Sequence, residues 1–117
     1  MPRFFRYVLR YDTGMAPCPQ DGLLSLCTCK PAIRRAARVG DLVAGFAPSP
    51  APHGVMTYAA RVREVLSWPS YAERYPDRTR RDAVYAFPPG GEGVALDPGY
   101  HSAPADRRKD LSADVLI

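Results

Sequence analysis

A chain of 117 residues with 46% hydrophobic and 24% charged side chains has the composition of a soluble globular protein and the length of one domain, residues 1–117. Net charge is +4, with Lys and Arg gathered at positions 30–38, 74–81 and 107–109, a pattern that fits a polyanionic partner and equally a solvated basic surface. No window approaches the roughly 20 uncharged apolar residues of a membrane span, and Arg3, Arg6 and Arg10 interrupt the first apolar stretch, so neither a span nor a secretory leader is expected.

Residues 4–11 mix aromatic and β-branched side chains and read as a first strand, with Phe5, Tyr7 and Leu9 on one face and Phe4, Arg6, Val8 and Arg10 on the other. Residues 12–22 form a loop by their turn chemistry: Asp12 can bond to backbone N–H groups ahead of it, and Gly14 can supply a positive φ. A short apolar strand over 23–28 follows, with Cys27 and Cys29 on one face and Thr28 on the other. Pro31, with no N–H and a helical φ, starts a short basic helix whose apolar stripe is Ile33, Ala36 and Ala37, while Arg34, Arg35 and Arg38 point elsewhere. Gly40 is expected to end it in a left-handed conformation, and residues 42–46 continue as a buried strand.

Residues 55–66 are the longest strand candidate, long enough that a bend or bulge is expected partway. Ser67 reads as an N-cap with Pro69 just inside a second short helix that ends near residue 75. A charged connection over 77–82, a strand over 83–87 and a mobile Gly- and Pro-rich loop over 88–99 come next. The polar segment 100–110 carries His101, Arg107 and Asp110, and residues 113–117 read as a closing strand. The fold class is α+β, mostly β: five to six short strands with two short helices, most easily closed into a small barrel that leaves no open edge.

Among candidate ligands, Cys18, Cys27, Cys29, His53 and His101 lack the paired spacing of a zinc site, so no metal is expected. The same cysteines, expected as reduced thiols in the cytoplasm, are possible nucleophiles and the two histidines possible bases, and the sequence leaves open whether any of them meet. GxxxxGK[ST] is absent, and Gly90, Gly91 and Gly93 lack the strand-to-helix context of a dinucleotide fingerprint, so no cofactor is expected. What remains is an anion site where Lys30 meets the start of the helix, together with the polar stretches 12–17 and 101–110. Tyr11, Tyr58, Trp68, Tyr71 and Tyr100 are either core or stacking surfaces for a base.

The segments RYDTGMAPCPQDG (10–22), TCKPAIRRAARVGDLVAG (28–45), VMTYAARVREVLSWPSYAE (55–73) and HSAPADRRKDLSADVLI (101–117) resemble the nucleotide modification associated domain family, type 2, of bacteria and phages. The pattern from Ile33 to Val65 is similar, more weakly, to PUA-like barrels such as the EVE and ASCH domains. The resemblance implies a small PUA-like β-barrel whose cleft binds a nucleotide or a modified base, in DNA or RNA, in association with nucleic-acid modification. Carried onto this chain, the implied site comprises Asp12, Gly14, Thr28, Cys29, Lys30, Pro31, Arg34, His101, Arg107 and Asp110. Gly14 and Pro31 would be structural; Lys30, Arg34, His101 and Arg107 would hold phosphate; Asp12, Thr28 and Asp110 would read base edges.

The first functional reading is therefore a non-catalytic binding module whose partner is a nucleotide or nucleic acid. The alternatives are a small enzyme acting on a nucleotide, with a thiol or with His101 and Asp110 as acid and base, and a protein-interaction domain that uses its proline-rich loops. Oligomeric state is left open by the sequence.

Overall fold

Period-two alternation sets the first element. In the computed structural model, which describes residues 2–52 and 54–117, strand β1 (Phe4–Val8) turns Phe5 and Tyr7 inward and leaves Phe4, Arg6 and Val8 outside, as the alternation predicts. The chain then runs through β2 (Cys18–Gln20), β3 (Leu23–Ser25), α1 (Pro31–Ala36), β4 (Leu42–Phe46), β5 (Met56–Arg61) and β6 (Val65–Leu66). It ends with α2 (Trp68–Arg74), β7 (Tyr85–Ala86), β8 (Val94–Ala95), α3 (Pro104–Leu111) and β9 (Val115–Leu116).

One sheet has the order β1-β4-β5, and three two-stranded ladders pair β2 with β3, β6 with β9 and β7 with β8. Strands β1 and β4 are parallel, Phe4 opposite Leu42 and Val8 opposite Phe46, so the chain between them must cross over; β2, β3 and α1 make that crossover. Strand β5 returns antiparallel to β4. Gly45 allows the close approach there: a Cβ at that position would lie 2.6 Å from the Tyr58 ring. Tyr58 thereby crosses β4 and reaches the Tyr7 hydroxyl at 2.9 Å.

The single long strand expected over 55–66 is two. At Val62 to Glu64 the chain leaves β4 and takes up the C-terminal residue instead, Arg63 and Glu64 donating their N–H groups to the Ile117 carbonyl at 2.6 and 3.0 Å. The far side of β9 pairs with Leu26, which exchanges both backbone bonds with Leu116. The last strand is thus interior, and Val115, Leu116 and Ile117 are all buried.

Among the described residues the structure is a mixed α/β arrangement of small sheets with three α-helices, and its ladders do not close into a barrel. Among the described residues nine short strands replace the expected five to six, because the strand over 55–66 is two and β2 and β8 lie in stretches whose Gly and Pro content reads as loop. The third helix, α3, lies mostly in the polar segment 100–110, beyond the two helices expected. Helix α2 is as predicted, with the Ser67 hydroxyl accepting the Ser70 N–H at 3.3 Å and Trp68 packed edge-on against Tyr71 and Tyr85. Helix α1 stops at Ala36, before Gly40; Gly40 instead takes φ +94° in the following turn, where Asp41 accepts N–H bonds from Arg3 and Arg38. Those bonds hold the Asp41 carboxyl below its usual range.

Beneath α2 lies a buried polar cluster. Asp82, fully enclosed, accepts hydrogen bonds from the Tyr71 hydroxyl at 2.5 Å and the Ser25 hydroxyl at 2.6 Å, with Arg80 at 3.7 Å. Arg80 in turn donates to the carbonyls of Cys18, Gln20 and Leu23. This ties the β2-β3 hairpin to the chain that enters β7.

Candidate functional site

Between β3 and α1 the backbone turns from strand to helix over residues 26–30. It does so with Cys29 at φ +61° and Lys30 at φ +45°, both left-handed, a conformation that costs non-glycine residues of order 1–3 kcal/mol each. Pro31 contributes, since a residue before proline is disfavoured in the right-handed helical region. The turn lifts the Cys29 thiol to a partly exposed position while its neighbour Thr28 is buried, the Thr28 hydroxyl 2.8 Å from that of Tyr100.

Four contacts complete the arrangement. Cys29 Sγ lies 3.8 Å from Nε2 of His101, and Nδ1 of His101 lies 2.6 Å from Oδ2 of Asp110. Asp110 sits on the last turn of α3 with 1% of its surface exposed, and it accepts two further bonds, from the Tyr85 hydroxyl to Oδ2 at 2.7 Å and from the Cys29 N–H to Oδ1 at 3.3 Å. An ionised carboxylate only accepts, so Nδ1 of His101 carries a proton, and neutral imidazole then turns the lone pair of Nε2 toward the thiol. This is the tautomer a general base needs.

The His101 ring and backbone each have a partner. Tyr100 stacks on it with ring centroids 4.2 Å apart, and Arg107 Nε donates to the His101 carbonyl at 3.0 Å. Burial pushes the Cys29 thiol above its ordinary value and the Asp110 carboxylate pushes the same way, while Arg34 and Lys30 oppose them. The group is a thiol at neutral pH. It becomes a nucleophile only if its proton is taken during attack.

Arg34 differs most from expectation. It is fully buried and its donors are spent on the backbone: Nε donates to the Cys29 carbonyl at 2.8 Å, and the terminal nitrogens donate to the carbonyls of Lys109, Asp110, Ala113 and Asp114. These carbonyls belong to the C-terminal end of α3 and the chain just beyond it, where unpaired oxygens and the negative end of the dipole favour a cation. Arg34 therefore clamps the Cys29 turn to the Asp110 turn. The variant Arg34→Lys keeps the charge but loses the fork, and chemical denaturation should show it less stable by about 1–3 kcal/mol, the penalty of buried carbonyls left unpaired.

Of the other expected residues, Lys30 is exposed with Nζ 5.0 Å from the centroid of the Tyr7 ring. Asp12 is exposed beside Tyr11, and Gly14 takes φ +80° in a loop that faces Arg81. Pro31 opens α1, and Arg107 supports the His101 loop rather than presenting its guanidinium. Thr28 and Asp110, expected to read base edges, are enclosed and already bonded within the protein. Cys18 and Cys27 are fully buried, and His53 lies outside the described residues. Among the described residues no group of three or more His, Cys, Asp and Glu side chains gathers as metal ligands, and no helix is long and apolar enough to cross a membrane.

A cleft of about 470 Å³ opens over the thiol and imidazole. Its walls include Tyr7, Arg10, Tyr11, Lys30 and Tyr100. Tyr85 and Tyr7 were not among the expected site residues; Tyr7 was visible only as a member of the inward face of β1, and nothing local marks Tyr85. Flat rings, cations, a thiol and an imidazole thus share one cavity of the size that holds a small ligand, with the Asp110 carboxylate behind them.

Compared with known proteins, the chain matches the family model described as nucleotide modification associated domain 2 over residues 1–84, which include Cys29 and Lys30 but end before His101 and Asp110. No curated protein and no solved structure matches it.

Proposed function

The chain belongs to the nucleotide modification associated domain 2 family, and we propose that its cleft binds a nucleotide or a modified base as part of a nucleic-acid modification system of bacteria or phages. The observation that carries this reading is the lining itself. Tyr11, 79% exposed, offers a free aromatic face, and Lys30 and Arg10 offer cations for phosphate at the same opening. A base stacked between rings with its phosphate at Lys30 uses both. The PUA-like barrel is part of the same reading, supported by the chain passing from β5 of the three-stranded sheet into β6, which pairs with β9.

The anion site has moved in character from what the basic helix implied. Arg34 and Arg107 are committed to carbonyls and His101 to Asp110, which leaves Lys30 as the phosphate contact of the four. Lys30→Ala should therefore weaken oligonucleotide or nucleotide binding and reduce the slope of log affinity against log salt by about one. Thermal unfolding against nucleoside monophosphates, modified nucleosides and short oligonucleotides tests the reading. A ligand at about a hundred times its Kd adds about 2.7 kcal/mol, a rise of several degrees in Tm for a domain of this size. A flat Tm across the panel overturns it.

A further inference from the structure

Resting on the reading of this cleft as the nucleotide or base site, we infer that the cleft is also catalytic: Cys29 attacks an ester or amide carbonyl carried by the bound ligand, His101 is its general base, and Asp110 positions the imidazole. The geometry supplies each requirement of nucleophilic catalysis. The nucleophile stands on a strained strand-to-helix turn, as do the nucleophiles of unrelated hydrolases. The base is in contact with it, and a buried carboxylate holds the base in the correct tautomer. Thiol and imidazole both border the cleft, whereas the carboxylate is shielded behind them.

The proton count of a single imidazole matches acyl transfer. As the sulfur-carbon bond forms, the thiol proton passes to Nε2 of His101 and the carbonyl π electrons move onto oxygen. When the carbonyl re-forms, the bond to the departing oxygen or nitrogen breaks with its electron pair, and that atom takes the proton from the imidazolium. Water then reverses the sequence: it gives a proton to Nε2, its oxygen bonds to the thioester carbon, and the sulfur leaves and regains a proton. Net, one ester or amide and one water give an acid and an alcohol or amine, with no oxidation or reduction.

The test uses the full chain with 4-nitrophenyl acetate as acyl donor and iodoacetamide as alkylating probe, the modified residue being located by peptide mass analysis. Cys18 and Cys27, fully buried, serve as internal controls. Acetylation is expected at Cys29, with faster release of 4-nitrophenol than a free thiol of matched pKa produces, and it should fall a hundredfold or more in His101→Gln. His101 is partly exposed, so this variant should keep its Tm; should it unfold, protection of Cys29 from iodoacetamide and its rate-pH profile in the unmodified protein replace it, a base-assisted thiol reacting with 4-nitrophenyl acetate below the pH at which it reacts as a free thiolate. Acetylation elsewhere, or at Cys29 at the free-thiol rate, overturns the inference. The two readings fail separately: a nucleotide-dependent rise in Tm with an inert Cys29 leaves a binder without chemistry, and an active Cys29 with no nucleotide response in the panel leaves a thiol enzyme that does not use nucleotides, overturning the substrate part of the inference.

Discussion

Replacing Asp82 by alanine is expected to lower folding stability by about 3–5 kcal/mol, a large share of the 5–15 kcal/mol typical of a small domain. The expectation follows from what surrounds the carboxylate. Arg80, 3% exposed, lies 3.7 Å from it, and two hydroxyls, of Tyr71 and Ser25, donate to it at 2.5 and 2.6 Å. Alanine leaves the guanidinium buried with no opposing charge and removes the acceptor of both hydroxyls. A net gain from the pair itself is a separate matter, because desolvating two charges offsets most of their attraction. The double variant Arg80→Met with Asp82→Ala separates the two. It should be less destabilised than the sum of the single changes, by 0.5–3 kcal/mol of coupling on the usual scale for contacting residues, roughly. Urea unfolding of the three variants measures this, and a loss below about 1 kcal/mol in Asp82→Ala would show that the cluster does not hold the β2-β3 hairpin in place.

Local rules made some of this architecture legible and missed the rest for identifiable reasons. The inward face of β1, the Ser67 cap and the start of α1 at Pro31 each depend on neighbours in sequence, and each is found in the structure. Arg34 was assigned to the outside because an apolar stripe is the signal of a buried helix face. Its burial is decided by the carbonyls of residues 75–80 positions away at the end of α3. Helix α3 itself escaped because PADRRKDL carries almost no apolar stripe; only Pro104, suited to a first turn, marked its start. A helix this polar is held by Arg34 and by Trp68, whose ring N–H donates to the Asp110 carbonyl at 3.0 Å.

The site was half legible for the same reason. Cys29, His101 and Asp110 are all candidates by residue type, but the sequence offers a thiol or the His101 and Asp110 pair as separate chemistries and does not join them. Their meeting was not readable, since Cys29 and His101 are 72 positions apart and come together only when β9 enters beside Leu26 and Arg34 binds the end of α3. Residue type marked the groups, and tertiary structure decided which faced the cleft. Lys30 faces it, and Thr28 and Asp110 stand behind it.

Asp110→Asn should slow acetylation of Cys29 by about 10⁴-fold at neutral pH while leaving the fold in place, the size of loss known when a positioning carboxylate becomes an amide. The amide oxygen is needed where Oδ1 accepts the Cys29 N–H, so the NH₂ falls where Oδ2 now meets Tyr85 and His101. The Tyr85 hydroxyl can turn from donor to acceptor. The imidazole must do the same at Nδ1, which moves its proton to Nε2 and presents N–H, not a lone pair, to the sulfur. The base is lost without losing the histidine. The thiol, however, should ionise more readily than before, because Asp110 is one of the groups that push its pKa up and the amide carries no charge. A variant with a more acidic yet slower cysteine is the signature of a positioning role, since a merely structural loss would slow both probes or neither. Iodoacetamide alkylation followed against pH should show the midpoint shifted to lower pH, and acetylation should recover only as the thiolate forms. Acetylation at the unmodified rate near neutrality would remove Asp110, and with it the oriented imidazole, from the mechanism.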